Sequence, residues 1–271
     1  MSTGTFCLVY QDDFHTIDHS VWSYELETGG FGTGSFDWTT DDPKNAYTDA
    51  AGLHIVPTLT VDTTNITVEE LNNGYVLNLT KAGTCTSDDY TMCSIRSNDT
   101  AGTIINPVRS ARLTTKGKKT LKYGRVEVVA QMPQGDWLWP AIWMMPDASV
   151  YGPWPESGEI DIAESRGNAP QNYPNGRNSI GSTLHWGPLP GYDAFWRTTG
   201  KHNMKRGDYS QGFHTYGLEW TENYLFMYID SRLLVSSPSR TFPWPGNILT
   251  RKLASLLPQV FFGPRKHVGA W

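Results

Sequence analysis

Apolar and polar residues alternate with a period of two along several segments of the chain, the pattern of strands that bury one face. Residues 224–230, YLFMYID, place Leu, Met and Ile on one face and three aromatic rings on the other. We predict a hairpin in which this strand pairs with residues 213–220, FHTYGLEW. Helical periodicity is almost absent, and further strands are predicted at 51–57, 74–80 and 124–132.

Turn residues punctuate the whole chain, with 26 Gly and 17 Pro among 271 residues. Many short strands with Gly and Pro turns and no long helices indicate a sandwich or a barrel. The length allows such a fold to be one domain. No internal repeat and no low-complexity linker divides the sequence.

A cluster of acids interrupts this pattern in residues 157–165, SGEIDIAES. On a strand, Glu159 and Asp161 point to one face, whereas strict alternation would send Glu164 to the apolar face. Burying a lone carboxylate there would cost several kcal/mol. One extra residue, a β-bulge near Ile162 and Ala163, would return Glu164 to the acidic face. The pattern therefore predicts three carboxylates on one face of a bulged strand.

Carboxylates gathered in this way fit glycoside hydrolysis with retention, which uses one nucleophilic and one protonated carboxyl group. The middle acid, Asp161, could orient the nucleophile and keep the acid protonated. Two other interpretations stay open, an exposed acidic face on an edge strand and a Ca²⁺ site.

Composition narrows the choice of ligand. The net charge is −5 and the pI is about 5.8, so nucleic acid and anionic membrane are not expected partners. The chain has 11 Trp and 13 Tyr, and flat aromatic faces suit the C–H faces of sugar rings. No apolar run reaches the length of a membrane span.

The three cysteines and three sequons favour a secreted or cell-wall location. Cys85 and Cys93 bracket a short polar stretch that a disulfide could close, which leaves Cys7 over. No signal peptide is visible at the start of the sequence. The predicted glycosylation sites are Asn65, Asn78 and Asn98.

Several motifs in order carry a family resemblance over about residues 8–248. They are LVYQDDF, NAYTD, SARLTTKGKKTLKYGRVEV, PAIWMMP, SGEIDIAES, TLHWG and FHTYGLEW. Together they resemble glycoside hydrolase family 16, and within it the laminarinase-like, fungal-type endo-β-1,3(4)-glucanases. The acidic motif has the E-x-D-x-x-E form of the bulged variant.

This resemblance implies an all-β jelly-roll sandwich of two antiparallel sheets with a concave substrate cleft. It implies endo-hydrolysis of β-1,3- or mixed β-1,3/1,4-glucan with retention and without a required cofactor. Glu159 would be the nucleophile, Asp161 the assisting acid and Glu164 the acid/base. The residues implied to bind substrate are Asn45, Arg112, Trp139, Trp143, His185 and Trp220.

The resemblance stops near the C-terminus, and we predict a domain over 1–248 followed by an atypical tail. Residues 249–271 contain four Lys or Arg and no Asp or Glu. They stand where the family has its last core strands. The family's structural calcium site often draws on that end, so no metal is claimed. A monomer is expected.

Three alternatives to the glucanase remain. The first is a glucan-binding module without catalysis, although such relatives typically lack the acidic pair. The second is a cell-wall glucan transglycosylase, which shares the covalent intermediate and differs in whether sugar or water attacks second. The third is a chain that does not fold.

Overall fold

A computed structural model describes residues 7–238 and 256–261 of the chain. The chain divides into two compact units, a smaller one of residues 13–114 and a larger one of residues 1–12 and 115–271. Within the described residues, no helix has the length and apolar character needed to cross a membrane.

The smaller unit consists of short strands and single-turn helices. Its sheets are the antiparallel pair β1–β9, the three strands β2–β8–β5, and the hairpins β3–β4 and β6–β7. Its strands are β1 Ser23–Tyr24, β2 Asp37–Thr39, β3 Ala46–Asp49, β4 Gly52–Ile55, β5 Thr58–Leu59, β6 Val76–Asn78, β7 Ser94–Arg96, β8 Val108–Ser110 and β9 Leu113–Thr114. Its helices are α1 Thr60–Thr63, α2 Val68–Asn72 and α3 Leu79–Ala82, with 3₁₀ turns at Gly30–Gly32 and Tyr90–Cys93.

A buried apolar cluster holds part of the smaller unit together. Its centre is Ile66, Leu77, Leu79 and Ile105. Cys85 packs against this cluster and forms a disulfide with Cys93, which confirms the predicted pairing. The disulfide fastens the loop after α3 to the start of β7.

The larger unit contains two antiparallel sheets. One has the strand order β10–β15–β16–β17 and the other β18–β11–β12–β13–β14. The strands are β10 Gly124–Ala130, β11 Ala141–Pro146, β12 Glu159–Glu164, β13 Ser179–His185, β14 Thr199–Asn203, β15 His214–Trp220, β16 Tyr224–Ile229, β17 Arg232–Pro238 and β18 Leu256–Phe261. Short 3₁₀ turns lie at Pro190–Tyr192 and Phe195–Arg197.

The two sheets of the larger unit pack face to face, with β12 against β15 and with β13 and β14 against β17. The predicted hairpin forms, and Leu218 of β15 lies opposite Met227 of β16. Both side chains are fully buried, as the period-two pattern predicts for the core face. Ile160 and Ile162 of β12 are buried in the same way.

The C-terminal tail differs from the prediction in one respect. Residues 256–261 form β18, which lies antiparallel along β11 with Met144 opposite Pro258. A strand therefore stands at this position, where the sequence predicted none. The backbone can add a strand here despite the irregular pattern because ladder hydrogen bonds need no particular side chain. The other residues of 249–271 lie outside the described part.

Candidate active site

A β-bulge in β12 places the three predicted acids on one face. Trp143 of β11 lies opposite Asp161, and Ile142 lies opposite Ala163, so Ile162 has no partner of its own on β11. The register with β13 also shifts between Asp161 and Glu164. The predicted bulge is thereby confirmed, and it returns Glu164 to the face of Asp161.

A buried hydroxyl satisfies the backbone at this bulge. Ser182 of β13 is fully buried, and its Oγ donates a 2.7 Å hydrogen bond to the carbonyl oxygen of Ile162. Because the bulge interrupts the ladder between β12 and β13, this carbonyl depends on a side-chain donor. Ser182 therefore holds the irregular part of the strand from the core side.

Glu159 receives a hydrogen bond from an indole that precedes it in the chain. The Nε1 of Trp154 donates to Oε2 of Glu159 at 2.5 Å. The peptide between Trp154 and Pro155 is cis. On the other side of Glu159 lies Asp161, close enough for the two carboxyl groups to share a hydrogen bond. Two polar groups thus fix the orientation of the proposed nucleophile.

His185 lies between two aspartates. Its Nε2 is 3.1 Å from Oδ2 of Asp161, and its Nδ1 is 2.6 Å from Oδ2 of Asp193. Asp193 is itself fixed, because its Oδ1 accepts hydrogen bonds from the backbone N–H groups of Trp186 and Phe195. The ring of His185 therefore has a single orientation facing the acids.

Glu164 forms its own contact with an exposed indole. The Nε1 of Trp139 donates a 2.8 Å hydrogen bond to Oε1 of Glu164. Trp139 is exposed, with 50% of its surface accessible to solvent. Trp143, which lies opposite Asp161, is less exposed. An open aromatic surface therefore adjoins the proposed acid/base.

Burial and mutual repulsion shift the protonation of these groups. Desolvation first, and then the charge of Asp161, raise the pKa of Glu159 to about 8. Desolvation likewise raises the pKa of Asp161 and that of Glu164. Burial alone would lower the pKa of His185, but hydrogen bonds to Asp161 and Asp193 raise it to about 10.

A pKa of about 10 for His185 and one of about 8 for Glu159 give this site a cationic imidazole and a protonated carboxyl group near neutral pH. Because Glu159 and Asp161 interact strongly, their proton belongs to the pair. A cation beside them favours the ionised forms of both, while desolvation raises the pKa of Glu164. Retaining glycosidases use one carboxylate and one carboxylic acid, so Glu159 has to lose its proton before it can serve as the nucleophile.

Three of these residues have the spacing of metal ligands. The ligand atoms of Glu159, Asp161 and His185 all lie within 4.8 Å of one another. A metal ion bound here would have to displace a proton from His185, because hydrogen bonds to two aspartates raise the pKa of that ring to about 10.

Two predicted substrate-binding residues lie in the smaller unit. Asn45 is fully buried, and its Nδ2 donates to the carbonyls of Val56 and Arg109 and to the hydroxyl of Thr58. Arg112 forms an ion pair with a glutamate of the same unit and lies 3.7 Å from the centre of the Phe31 ring. These contacts favour a structural role for Asn45 and leave a sugar contact of Arg112 as a prediction.

Trp220 lies in the core of the larger unit with 2% of its surface exposed. It packs edge to face against Tyr123 at a centroid distance of 5.0 Å. This placement favours packing over the predicted sugar contact.

The predicted glycosylation sites all lie in the smaller unit. Asn65 and Asn98 are exposed, while Asn78 is half-buried and caps helix α3 through a hydrogen bond from the backbone N–H of Lys81. Glycosylation of these three residues stays a prediction.

Sequence reasoning missed Trp154 and Asp193. Both lie in loops, where periodicity carries no information about which way a side chain points. Trp154 lies five residues before Glu159 in the run GPWPESGE, and Asp193 follows His185 by eight residues. An aromatic residue and an acid so near the predicted site were the available signals.

The sequence matches a known protein family and several known proteins. The model for glycosyl hydrolases family 16 matches residues 58–248. The chain is 38% identical over 88% of its length to a β-1,3-glucan-binding protein of Penaeus monodon. It is 29% identical over 83% of its length to glucan endo-1,3-β-glucosidase A1 of Niallia circulans. The chain spans 64% and 28% of these two relatives, respectively.

Solved structures share the fold. The laminarinase catalytic domain of Thermotoga maritima is 23% identical, with a TM-score of 0.66 over 95% of this chain and 86% of that one. The laminarinase of Rhodothermus marinus is 24% identical, with a TM-score of 0.65 over 96% and 87%. The predicted fold class, an all-β jelly-roll sandwich of antiparallel sheets, is confirmed.

Proposed function

Because this chain belongs to glycosyl hydrolases family 16, we propose that it hydrolyses internal glycosidic bonds of β-1,3- or mixed β-1,3/1,4-glucan. The observation that carries the proposal is the bulge in β12, which gathers Glu159, Asp161 and Glu164 on one face. Three carboxyl groups that raise one another's pKa are costly, and glycoside hydrolysis makes use of such a group.

The reaction has two steps with retention at the anomeric carbon. In the first, a carboxylate oxygen of Glu159 attacks the anomeric carbon while Glu164 donates its proton to the glycosidic oxygen. The bond between the anomeric carbon and the glycosidic oxygen breaks, and its electron pair stays on the oxygen of the departing part of the glucan. In the second, Glu164 takes a proton from water, whose oxygen displaces Glu159 from the anomeric carbon.

The surrounding groups support these roles. Trp154 and the charge of His185 both favour the ionised form of Glu159, which the attack requires. Burial favours the protonated form of Glu164, which the first step requires. The exposed rings of Trp139 and Trp154 offer flat apolar faces to sugars beside these two acids.

An extracellular location is part of the proposal. The disulfide between Cys85 and Cys93 supports it, because disulfides persist in oxidising compartments.

A second candidate function is glucan binding without turnover. It is favoured by one observation, the 38% identity to a protein named β-1,3-glucan-binding protein. The acidic face of β12 argues for catalysis instead, because binding of a neutral sugar does not require three carboxyl groups gathered on one strand face.

The test is release of reducing ends from laminarin by the parent and by Glu159→Gln and Glu164→Gln. We expect both variants to lose at least about a thousandfold in kcat, equivalent to some 4 kcal/mol. The Glu164→Gln variant should keep more activity on an aryl glucoside whose leaving group needs no proton. Glu69→Gln, an exposed acid on α2, is the control that should act like the parent.

Two outcomes would overturn the assignment. Binding of laminarin by the folded parent without reducing-end release would establish the second candidate. Equal loss by Glu164→Gln on both substrates would remove its role as general acid.

A further inference from the structure

The second face of β16 carries a row of aromatic side chains, Tyr224, Phe226 and Tyr228, which we call the aromatic row. The ring centres of Tyr224 and Phe226 are 5.5 Å apart with an angle of 16° between their planes. Those of Phe226 and Tyr228 are 6.0 Å apart with an angle of 43°. The rings therefore follow one another along the strand as a continuous apolar surface.

Neighbouring acids fix the orientation of the outer rings. The hydroxyl of Tyr224 donates a 2.7 Å hydrogen bond to Glu219 of β15. The hydroxyl of Tyr228 donates a 2.6 Å hydrogen bond to Glu127 of β10. Each phenol reaches a carboxylate across the sheet, so both rings lie over it instead of extending into solvent. Rings held in this way lose little conformational freedom when a ligand binds.

A glycine makes room for this arrangement. Gly217 of β15 lies opposite Tyr228, and a Cβ atom at Gly217 would collide with the ring of Tyr228. The ring therefore packs directly on the backbone of β15. Tyr228 stays partly exposed, so part of the ring's surface remains for contact with a ligand.

The aromatic row lies on the side of the larger unit opposite to the acids. Leu225 and Met227, which alternate with the rings, are buried in the core. Ile160 and Ile162 of β12 are also buried, and β12 packs against β15 of the same sheet as the rings. The acids of β12 and the rings of β16 thus project outward from the two opposite sheets. A ligand on the aromatic row would not occupy the acidic site.

We propose that the aromatic row is a second carbohydrate site, which binds a neutral β-glucan chain by stacking sugar rings on the three aromatic rings. Charge supports a neutral ligand, since Arg125 pairs with Glu219 at 2.7 Å and two carboxylates border the rings. A polyanion would meet more negative than positive charge here. The identity of the glycan as β-glucan rests on the proposed function. Such a site would keep the protein on a polysaccharide while the acids act elsewhere on it.

The experiment measures co-sedimentation with insoluble β-1,3-glucan particles in the Glu159→Gln background, so that the polymer is not cut. Phe226→Ala and Tyr228→Ala each remove one ring from the row. We expect each to weaken binding about tenfold, the effect of losing one stacked ring. Tyr90→Ala, which removes a 77% exposed ring of the smaller unit, is the matched control and should bind like its parent. Thermal melts verify that all variants fold.

A second measurement separates this inference from the proposed catalysis. With Glu159 intact, Phe226→Ala should hydrolyse short soluble β-glucan oligosaccharides at the parent's rate. If the ring variants bind the particles more weakly but the parent hydrolyses no β-glucan, this inference stands and the catalytic proposal is rejected. Folded ring variants that bind the particles as tightly as the parent would overturn the inference, as would a parent that does not bind them.

Discussion

The Nδ1 atom of His185 lies 2.6 Å from Oδ2 of Asp193, so an acid in a loop holds the ring that faces Asp161. The pair keeps a positive charge beside the carboxyl groups of β12. That charge lowers the pKa of Glu159, Asp161 and Glu164, against the burial that raises all three. Asp193 therefore acts on the acids through His185.

Asp193→Asn is expected to move the acidic limb of the kcat/KM profile to higher pH. Without the carboxylate, the pKa of His185 falls, and the loss of its charge raises the pKa of Glu159. Glu159 must be ionised to attack, so activity disappears at a higher pH, by about one unit. The Asn side chain keeps an oxygen for the backbone bonds that Asp193 accepts.

The control for this variant is Asp230→Asn. Asp230 lies 2.9 Å from Nδ1 of His214 and accepts a hydrogen bond from a backbone N–H, so it repeats the geometry away from the site. Its variant should leave the pH profile unchanged. An unmoved limb in Asp193→Asn would show that His185 does not influence Glu159.

Asp161→Asn is expected to move the same limb in the opposite direction. The charge of Asp161 and its hydrogen bond both raise the pKa of Glu159, so their removal lowers that pKa. The acidic limb should shift down by about one pH unit, while kcat falls because the nucleophile loses an orienting partner. A profile measured on laminarin between pH 4 and 9 tests both effects. An upward shift would contradict the prediction.

Glu159→Gln is expected to stabilise the fold at alkaline pH. The pKa of Glu159 is raised from 4.5 to about 8, so the folded state binds this proton more tightly than the unfolded state. The resulting stability is present below pH 4.5 and is lost as pH rises through 8. Gln does not ionise, and we expect a gain of about 1–2 kcal/mol at pH 8.5 and little at pH 4.

Thermal or urea unfolding at the two pH values measures this difference. Glu69→Gln, which removes an exposed acid on α2, serves as the reference for a charge change alone. Equal changes in the free energy of unfolding for both variants at pH 8.5 would show that folding does not raise the pKa of Glu159.

Ser182→Ala is expected to lower both stability and kcat. It leaves the carbonyl of Ile162 without its side-chain donor in the core, which costs about 1–3 kcal/mol. A loosened bulge misplaces Glu164, so kcat should fall while KM changes little.

Ser179→Ala is the matched control for the bulge. Ser179 is a buried serine of the same strand and donates a 2.8 Å hydrogen bond to Asn203, away from the bulge. Its variant should lose stability but keep kcat. Equal kcat values for the two alanine variants would show that the hydrogen bond of Ser182 at the bulge does not contribute to catalysis.

The bulge and the disulfide could be predicted from sequence because each follows from a local conflict or a short spacing. Strict alternation would bury Glu164, and only an extra residue resolves this, as β12 shows. Cys85 and Cys93 lie eight residues apart and do pair.

Other features depend on long-range packing that the sequence does not encode locally. Asn45 and Trp220 are of types that serve equally in a core or a cleft, and both are buried. Asp193 acquires its role only when the loop after β13 folds back on His185. β18 adds to the sheet through backbone bonds, which leave no period in its sequence.

The bulge also determines how the length of this segment can vary. Removing Ile162 would convert E-I-D-I-A-E into E-I-D-A-E, in which plain alternation still places all three acids on one face. Inserting one further residue would also return Glu164 to the acidic face by plain alternation, but four residues from Asp161 and therefore about 13 Å away along the strand. Deletion and insertion therefore differ in the distance between the acids: a segment one residue shorter keeps them together without a bulge, and a segment one residue longer separates them unless a bulge is added.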